Sequence, residues 1–164
     1  MKSKKRWMSI LKNRRFPLFI DSEGQKVLVI GAGTIAKRRV TTLLKFDFDI
    51  EVVAPMCCDE IKGYAKDNLL KYTEDVYDRK YISDQLMILA CTDDRDTNYR
   101  IISDAKEAGI LANACDCRGE CDFFFPAIAV NDDITVGISG SGNSHDITKK
   151  SAAVIRGIVE RKDY

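Results

Sequence analysis

Residues 28–36 read LVIGAGTIA, an apolar run interrupted by Gly31 and Gly33 and followed by Thr34, Ile35 and Ala36. These residue types at this spacing suit the binding of a pyrophosphate by backbone. A glycine at the first position permits a tight turn, one at the second lets the backbone approach the phosphates, and a small residue at the third lets a helix pack closely on its strand. The N-terminus of that helix then faces the negative charge. A GxGxxA on its own also marks ordinary turns, so its neighbours decide. Residues 26–30 are β-rich, and Ile35, Val40, Leu43 and Leu44 recur at helical spacing after the glycines. Gly31, Gly33, Thr34 and Ile35 are therefore candidate contacts to a dinucleotide. The acid that would hold the adenosine ribose at the end of the second strand is missing, because the chain there reads Val53-Ala54-Pro55. Backbone at Pro55 and Met56 is the candidate substitute. No Arg or Lys stands there to meet a 2′-phosphate, and Asp59 and Glu60 follow, so NAD is favoured over NADP.

Other groups with chemical potential are weighed against plainer roles. Thr92 and Asp93 end a fourth apolar run, where cofactor contacts are expected, and they also suit the N-cap of the helix that follows. Ser139, Ser141 and Asn143 lie in a loop that opens the last helix and suit the binding of substrate carboxylates at a helix N-terminus. Lys37, Arg38 and Arg39 read as a solvated helix face. His145, the single histidine, has an unperturbed pKa near neutrality, but beside Ser144 and Asp146 it reads as part of a capping neighbourhood. The six cysteines read as reduced and incidental. Cys115, Cys117 and Cys121 have neither the paired CxxC spacing nor the partner histidines of structural zinc, so no metal site is expected.

The elements that must carry these residues alternate. Strands are expected at 26–30, 49–54, 69–72, 85–90 and 110–114, and helices at 34–44, 56–67 and 96–108. Such alternation predicts an α/β fold, a Rossmann-type parallel sheet covered by helices on both faces, with ligands at the carboxyl ends of the strands. After residue 114 the pattern changes. Residues 121–130 and 134–139 are strand-like around the turn Asn131-Asp132-Asp133 and predict a β-hairpin. A helix follows with Ile147, Val154, Ile155, Ile158 and Val159 on one face. With Phe123, Phe124 and Phe125 in sequence, this region reads as a dimer interface, the plainer role being cover for a sheet edge. The expected organisation is a basic leader at 1–15, a dinucleotide-binding domain at 16–115 and a dimerisation and substrate region at 116–164.

A chain of 164 residues with 45% hydrophobic content can bury a real core, which excludes disorder as a whole. Seven bases and no acid fall in the first fifteen residues, which leaves the remainder with six more acids than bases. No run is apolar enough for a signal peptide or a membrane span, so a cytoplasmic protein is expected. No basic patch with interleaved aromatics follows the leader, so nucleic acid is not an expected partner.

Taken together, Phe16-Pro17-Leu18-Phe19, residues 29–36 with Arg38 and Arg39, Val52-Val53-Ala54-Pro55, Ala90-Cys91-Thr92-Asp93-Asp94 with Asn98, Asn113-Ala114-Cys115-Asp116, Phe125-Pro126-Ala127 and Ile138-Ser139-Gly140-Ser141-Gly142 resemble the sirohaem-synthase family, in its precorrin-2 dehydrogenase and sirohydrochlorin ferrochelatase module. The resemblance spans roughly residues 16–161. It implies a Rossmann domain followed by a strand-exchanged dimerisation region, hence a homodimer. It also implies NAD-dependent oxidation of the tetrapyrrole precorrin-2 to sirohydrochlorin, with insertion of ferrous iron as a further activity. By the match of motifs, Asp116 is the implied base that removes a proton as hydride leaves. Two departures stand out: His145 replaces a proline common in the family, and the family's further helical domain is expected to be absent. An alternative of a different class is a noncatalytic NAD-sensing or tetrapyrrole-binding module.

Overall fold

The computed structural model describes residues 15–140 and 145–160. Residues 20–124 form one compact unit, and a second joins the segment up to Phe19 to the segment from Phe125 onward.

The first unit alternates strand and helix: β1 (Lys26–Ile30), α1 (Thr34–Leu43), β2 (Asp49–Val53), α2 (Asp59–Lys66), β3 (Lys71–Thr73), β4 (Met87–Ala90), α3 (Arg95–Glu107) and β5 (Leu111–Ala114). All neighbouring strands are parallel, in the order β3-β2-β1-β4-β5. This is the doubly wound arrangement, whose order reverses between β1 and β4, where a crevice opens at the carboxyl ends. Burial on both faces explains why β1 and β4 read as continuous apolar runs rather than alternating ones. Leu28, Ile30, Val53, Ile88, Ala90, Ala112 and Ala114 join Ile101, Ile102 and Ala105 of α3 in one core. Val27, Val29, Val52 and Leu89, also buried, point to the opposite face by the two-residue period of a strand, where α1 contributes Ala36, Val40 and Leu43.

Three details depart from the sequence reading. Ile35 is 42% exposed and does not belong to the core, because Ala36 takes the position against the sheet. The helix expected from residue 56 starts at Asp59: Cys58 is its extended N-cap, and the Cys58 N–H donates to the Ala32 carbonyl at 3.3 Å. Residues 121–126 are not strand. The Asp122 N–H donates to Ala112 O at 2.9 Å, the Ala112 N–H donates to Asp122 Oδ2 at 3.0 Å, and Asn113 Nδ2 donates to Phe123 O at 2.7 Å. The segment thus seals the edge of β5, and the compact unit runs to Phe124.

In the second unit, β6 (Ala127–Val130) and β7 (Thr135–Ile138) form the expected antiparallel hairpin, followed by α4 (His145–Val159). Asn131 Nδ2 donates to Val159 O, and Arg156 Nε to Ile128 O, both at 2.8 Å. The apolar residues of α4 do not share one face. Ala152 and Val159 are buried, whereas Ile147, Val154 and Ile158 form an exposed stripe.

Gly31 is the most crowded glycine of the first unit. Its φ is +100°, and a Cβ there would lie 2.5 Å from the Cys91 carbonyl oxygen and 2.9 Å from Thr92 N. A Cβ on Gly33 would meet nothing within 4 Å. Gly31→Ala should therefore destabilise the protein by roughly 2–4 kcal/mol, the range of a large single-site effect. Gly33→Ala should change stability little. Urea denaturation of both variants checks the contrast, and equal losses would refute it.

Candidate functional site

The ladder continues one residue past several strands. Gly31 N–H donates to Val53 O at 2.9 Å, Cys91 N–H to Ile30 O at 2.8 Å, Cys115 N–H to Ala90 O at 2.9 Å and Ala54 N–H to Thr73 O at 3.2 Å. These bonds fix where each loop leaves the carboxyl edge of the sheet. Gly33 then starts α1 as an extended N-cap at φ −84°, with no side-chain hydrogen bond to the first turn and no acid within it. The first amides of a helix lack intrahelical partners. The bare N-terminus and the open space above Gly33 fit a pyrophosphate. Thr34 and Ile35 are exposed beside it.

After β2, Pro55 and Met56 are exposed, Met56 to 82%. The carbonyl before Pro55 is held by Tyr72, whose hydroxyl donates to Ala54 O at 2.8 Å. Burial pushes the Tyr72 phenol up to about 12, which keeps it a donor at neutral pH. Lys37 pairs with Glu60 at 2.7 Å, which lowers the Glu60 carboxyl.

The β4–α3 loop carries Thr92 and Asp93, but neither caps α3. Asp94 does, accepting from Thr97 N–H at 2.9 Å. Asp93 is exposed, and Thr92 is tied to Asn98 of α3. Asn98 is only 1% exposed. Its Oδ1 accepts from Thr92 N at 3.1 Å and Thr92 Oγ1 at 2.7 Å, and its Nδ2 donates to Thr92 O and to Asp116 Oδ2, each at 3.1 Å. Arg95 Nη1 lies 3.9 Å from the same Asp116 oxygen, and Arg95 also bonds Glu120. The Asp116 side chain is 30% exposed, after β5. Thr92 and Asp116, nominated from separate stretches of sequence, thus meet on one buried amide. Asn98 stood in the motif that carried the family resemblance, but no role had been assigned to it. Its signal was an Asn on the apolar side of a helix.

Two further differences concern α1 and the thiols. Arg39 is not part of a solvated face: its guanidinium bonds Asn113 Oδ1, and Asn113 is buried. The cysteines are free, but Cys91 and Cys115 are not incidental neighbours. They follow the register partners Ala90 and Ala114, and each shifts the other: Cys91 lowers the Cys115 thiol to about 7, and Cys115 raises the buried Cys91 thiol. Ser139 is exposed just after β7 in the second unit; Ser141 and Asn143 lie outside the described residues, as do residues 1–14 of the basic leader. His145 is the first residue of α4. Among the described residues, no three His, Cys, Asp or Glu converge as a metal-binding group, and no helix is long and apolar enough to cross a membrane.

Residues 18–127 match the family described as "Putative NAD(P)-binding", more than half of the chain. The probable multifunctional siroheme biosynthesis protein HemA of Ruminiclostridium josui is 45% identical over 150 residues, which cover 91% of this chain and 29% of that protein. The siroheme synthase of Psychrobacter cryohalolentis is 37% identical over 129 residues, which cover 79% of this chain and 25% of that protein. The chain therefore spans less than a third of the length of these curated relatives. Among solved structures, "SirC, precorrin-2 dehydrogenase" superposes with a TM-score of 0.71 at 25% identity, over 88% of this chain and 71% of that one. The reversal of strand order, the uncapped glycine turn and the family match agree: the chain belongs to the putative NAD(P)-binding family.

Proposed function

We propose that this chain binds NAD at the glycine turn and oxidises precorrin-2 to sirohydrochlorin, with Asp116 as the base. The carrying observation is that an uncapped helix N-terminus above Gly33 and a partly buried carboxylate stand on the same carboxyl edge of one sheet. The likeness to a precorrin-2 dehydrogenase and to siroheme synthases supplies the substrate class. NAD rather than NADP is favoured because exposed Asp59 and Glu60 follow Pro55 and Met56, and the nearby Lys37 is engaged by Glu60.

When bound, the nicotinamide supplies the hydride acceptor. The residues do the rest. Gly31 would make the turn while the backbone at Gly33, Thr34 and Ile35 would hold the pyrophosphate, Pro55 and Met56 would border the adenosine, and Thr92 with Asp93 would border the nicotinamide half. Each oxidation removes a hydride and a proton from the tetrapyrrole, and the proton goes to Asp116. Its Oδ2 is engaged by Asn98 and neighbours Arg95, so Oδ1 is the oxygen available to accept it. Ser139, Ser141 and Asn143 are assigned to substrate carboxylates. Dehydrogenation is the principal activity in this reading. Ferrous iron enters as a substrate, and its insertion would use the same carboxylate for the pyrrole protons.

The protein acts as a cytoplasmic homodimer in this proposal. Its exposed apolar residues concentrate in the second unit, with Phe16, Leu18 and Phe19 before β1 and Ile147, Val154 and Ile158 on α4. Exposed apolar stripes of this kind mark protein interfaces.

Conversion of precorrin-2 with NAD, followed by the absorption of sirohydrochlorin, tests the activity directly. Gly33→Val should abolish NAD binding by calorimetry while the far-ultraviolet circular dichroism stays unchanged; unaltered affinity would refute the glycine site. Asp116→Asn should leave NAD affinity within about twofold and slow oxidation about 10²–10⁴-fold, as expected for loss of a general base. An unchanged rate would remove Asp116 from the reaction. Light scattering should give twice the chain mass at micromolar concentration, falling to a monomer in the Val154→Lys, Ile158→Lys double variant. A native monomer with full activity would overturn the dimer.

A further inference from the structure

We propose that Asn98 is the positioning residue for Asp116, and that one buried amide sets the spacing between the base and the cofactor loop. This rests on the reading of Asp116 as the base. A side-chain amide has two donor hydrogens and two acceptor lone pairs on oxygen. In Asn98 all of these are used, three of the bonds on Thr92 and one on Asp116 Oδ2, with Cys115 Sγ a more distant partner of Nδ2 at 4.0 Å. The bonds to Thr92 suffice to fix the 92–98 loop. The remaining donor crosses to the segment after β5, and holding the loop does not require it.

The mounting suits positioning. Asn98 lies in the first turns of α3, whose start is pinned by the Asp94 cap and whose next turn buries Ile101 and Ile102 in the core. A group carried on a packed helix is held more closely than one carried on a loop. Asp116 itself follows a strand end, in no helix or strand of its own. A cation near its Oδ2, Arg95, has a side chain that is 46% exposed, 3.9 Å away and shared with Glu120, so it constrains direction weakly. Asn98 therefore engages Oδ2 and leaves Oδ1 as the acceptor. Because Thr92 is held by the same amide, a shift in Asn98 would displace the base relative to the cofactor loop.

A double-mutant cycle on the intact chain separates this role from a merely structural one. Asn98→Ala should lower kcat for precorrin-2 oxidation on the order of 10- to 100-fold, the scale of a small misplacement of a reacting group. KM for precorrin-2 should stay within about threefold of the unsubstituted protein. Once Asp116 is already Asn, adding Asn98→Ala should cost less than about a further threefold, because residues that act through one another are not additive. Asn98→Asp, which keeps the size and the acceptor toward Thr92 but sets a carboxylate against Asp116, should be at least as slow as Asn98→Ala while still binding NAD. It serves as the test if the alanine variant does not fold. Fully additive losses, or parent kcat in a folded Asn98 variant, would overturn the positioning role while leaving Asp116 as base. Parent kcat in Asp116→Asn alone would instead remove the base, and this inference with it.

Discussion

The approach of Gly31 to the peptide between Cys91 and Thr92 is the constraint on which the rest of this structure depends. The loops after β1 and β4 come so close that no side chain fits at residue 31. That contact lies where the strand order reverses, which is where an open parallel sheet leaves a crevice. Gly33, two residues on, has an ordinary backbone conformation and open space. The two glycines therefore do different jobs. The first lets the sheet edge close on itself, and the second leaves room for a ligand at a helix N-terminus whose amides have no side-chain cap.

Around that edge an apolar platform carries a small polar network. The strands are buried on both sides, and the buried polar residues among those described are Asn98 on α3 and Asn113 in β5. Each is satisfied by specific partners. Asn98 binds Thr92 and Asp116, while Asn113 accepts from Arg39 and donates to Phe123 O. An unpaired amide at either position would cost roughly 1–3 kcal/mol, so such groups stay buried only where the surroundings complete them. Arg39, read along the chain as part of a basic surface, is instead half-buried against that network. The pair Cys91 and Cys115 sits at the same edge, where Cys91 lowers the Cys115 thiol next to Asp116.

Much of this was legible in the sequence because it is local. The glycine turn, the alternation of strands and helices, and the Asn131-Asp132-Asp133 hairpin follow from short-range rules of turn chemistry and periodicity. The expected elements lie close to those observed, as with residues 96–108 against Arg95–Glu107. Asp116 was reached only through resemblance, since nothing in composition separates it from the other acids among the chain's 25 Asp and Glu residues. The misreadings share a cause. Residues 121–126 have strand-like side chains, but the edge of β5 takes up their backbone and side-chain bonds. Thr92 looked like a cap, but Asp94 is better placed once the loop has turned.

The sequence by itself determined the type of fold, the order of its elements and the chemistry of its glycine turn, because each depends on residues adjacent in the chain. Only the tertiary structure decided which side chains meet. Periodicity could place Ile35 on α1 but not tell that Ala36 takes the packing position, and it gathered the apolar residues of α4 onto one face where the fold uses two. The pairing of Asn98 with Asp116, 18 residues apart, and of Arg39 with Asn113, 74 apart, depends on how α1 and α3 pack on opposite faces of one sheet. Strand order and helix packing set those distances, and both are properties of the assembled sheet rather than of any segment.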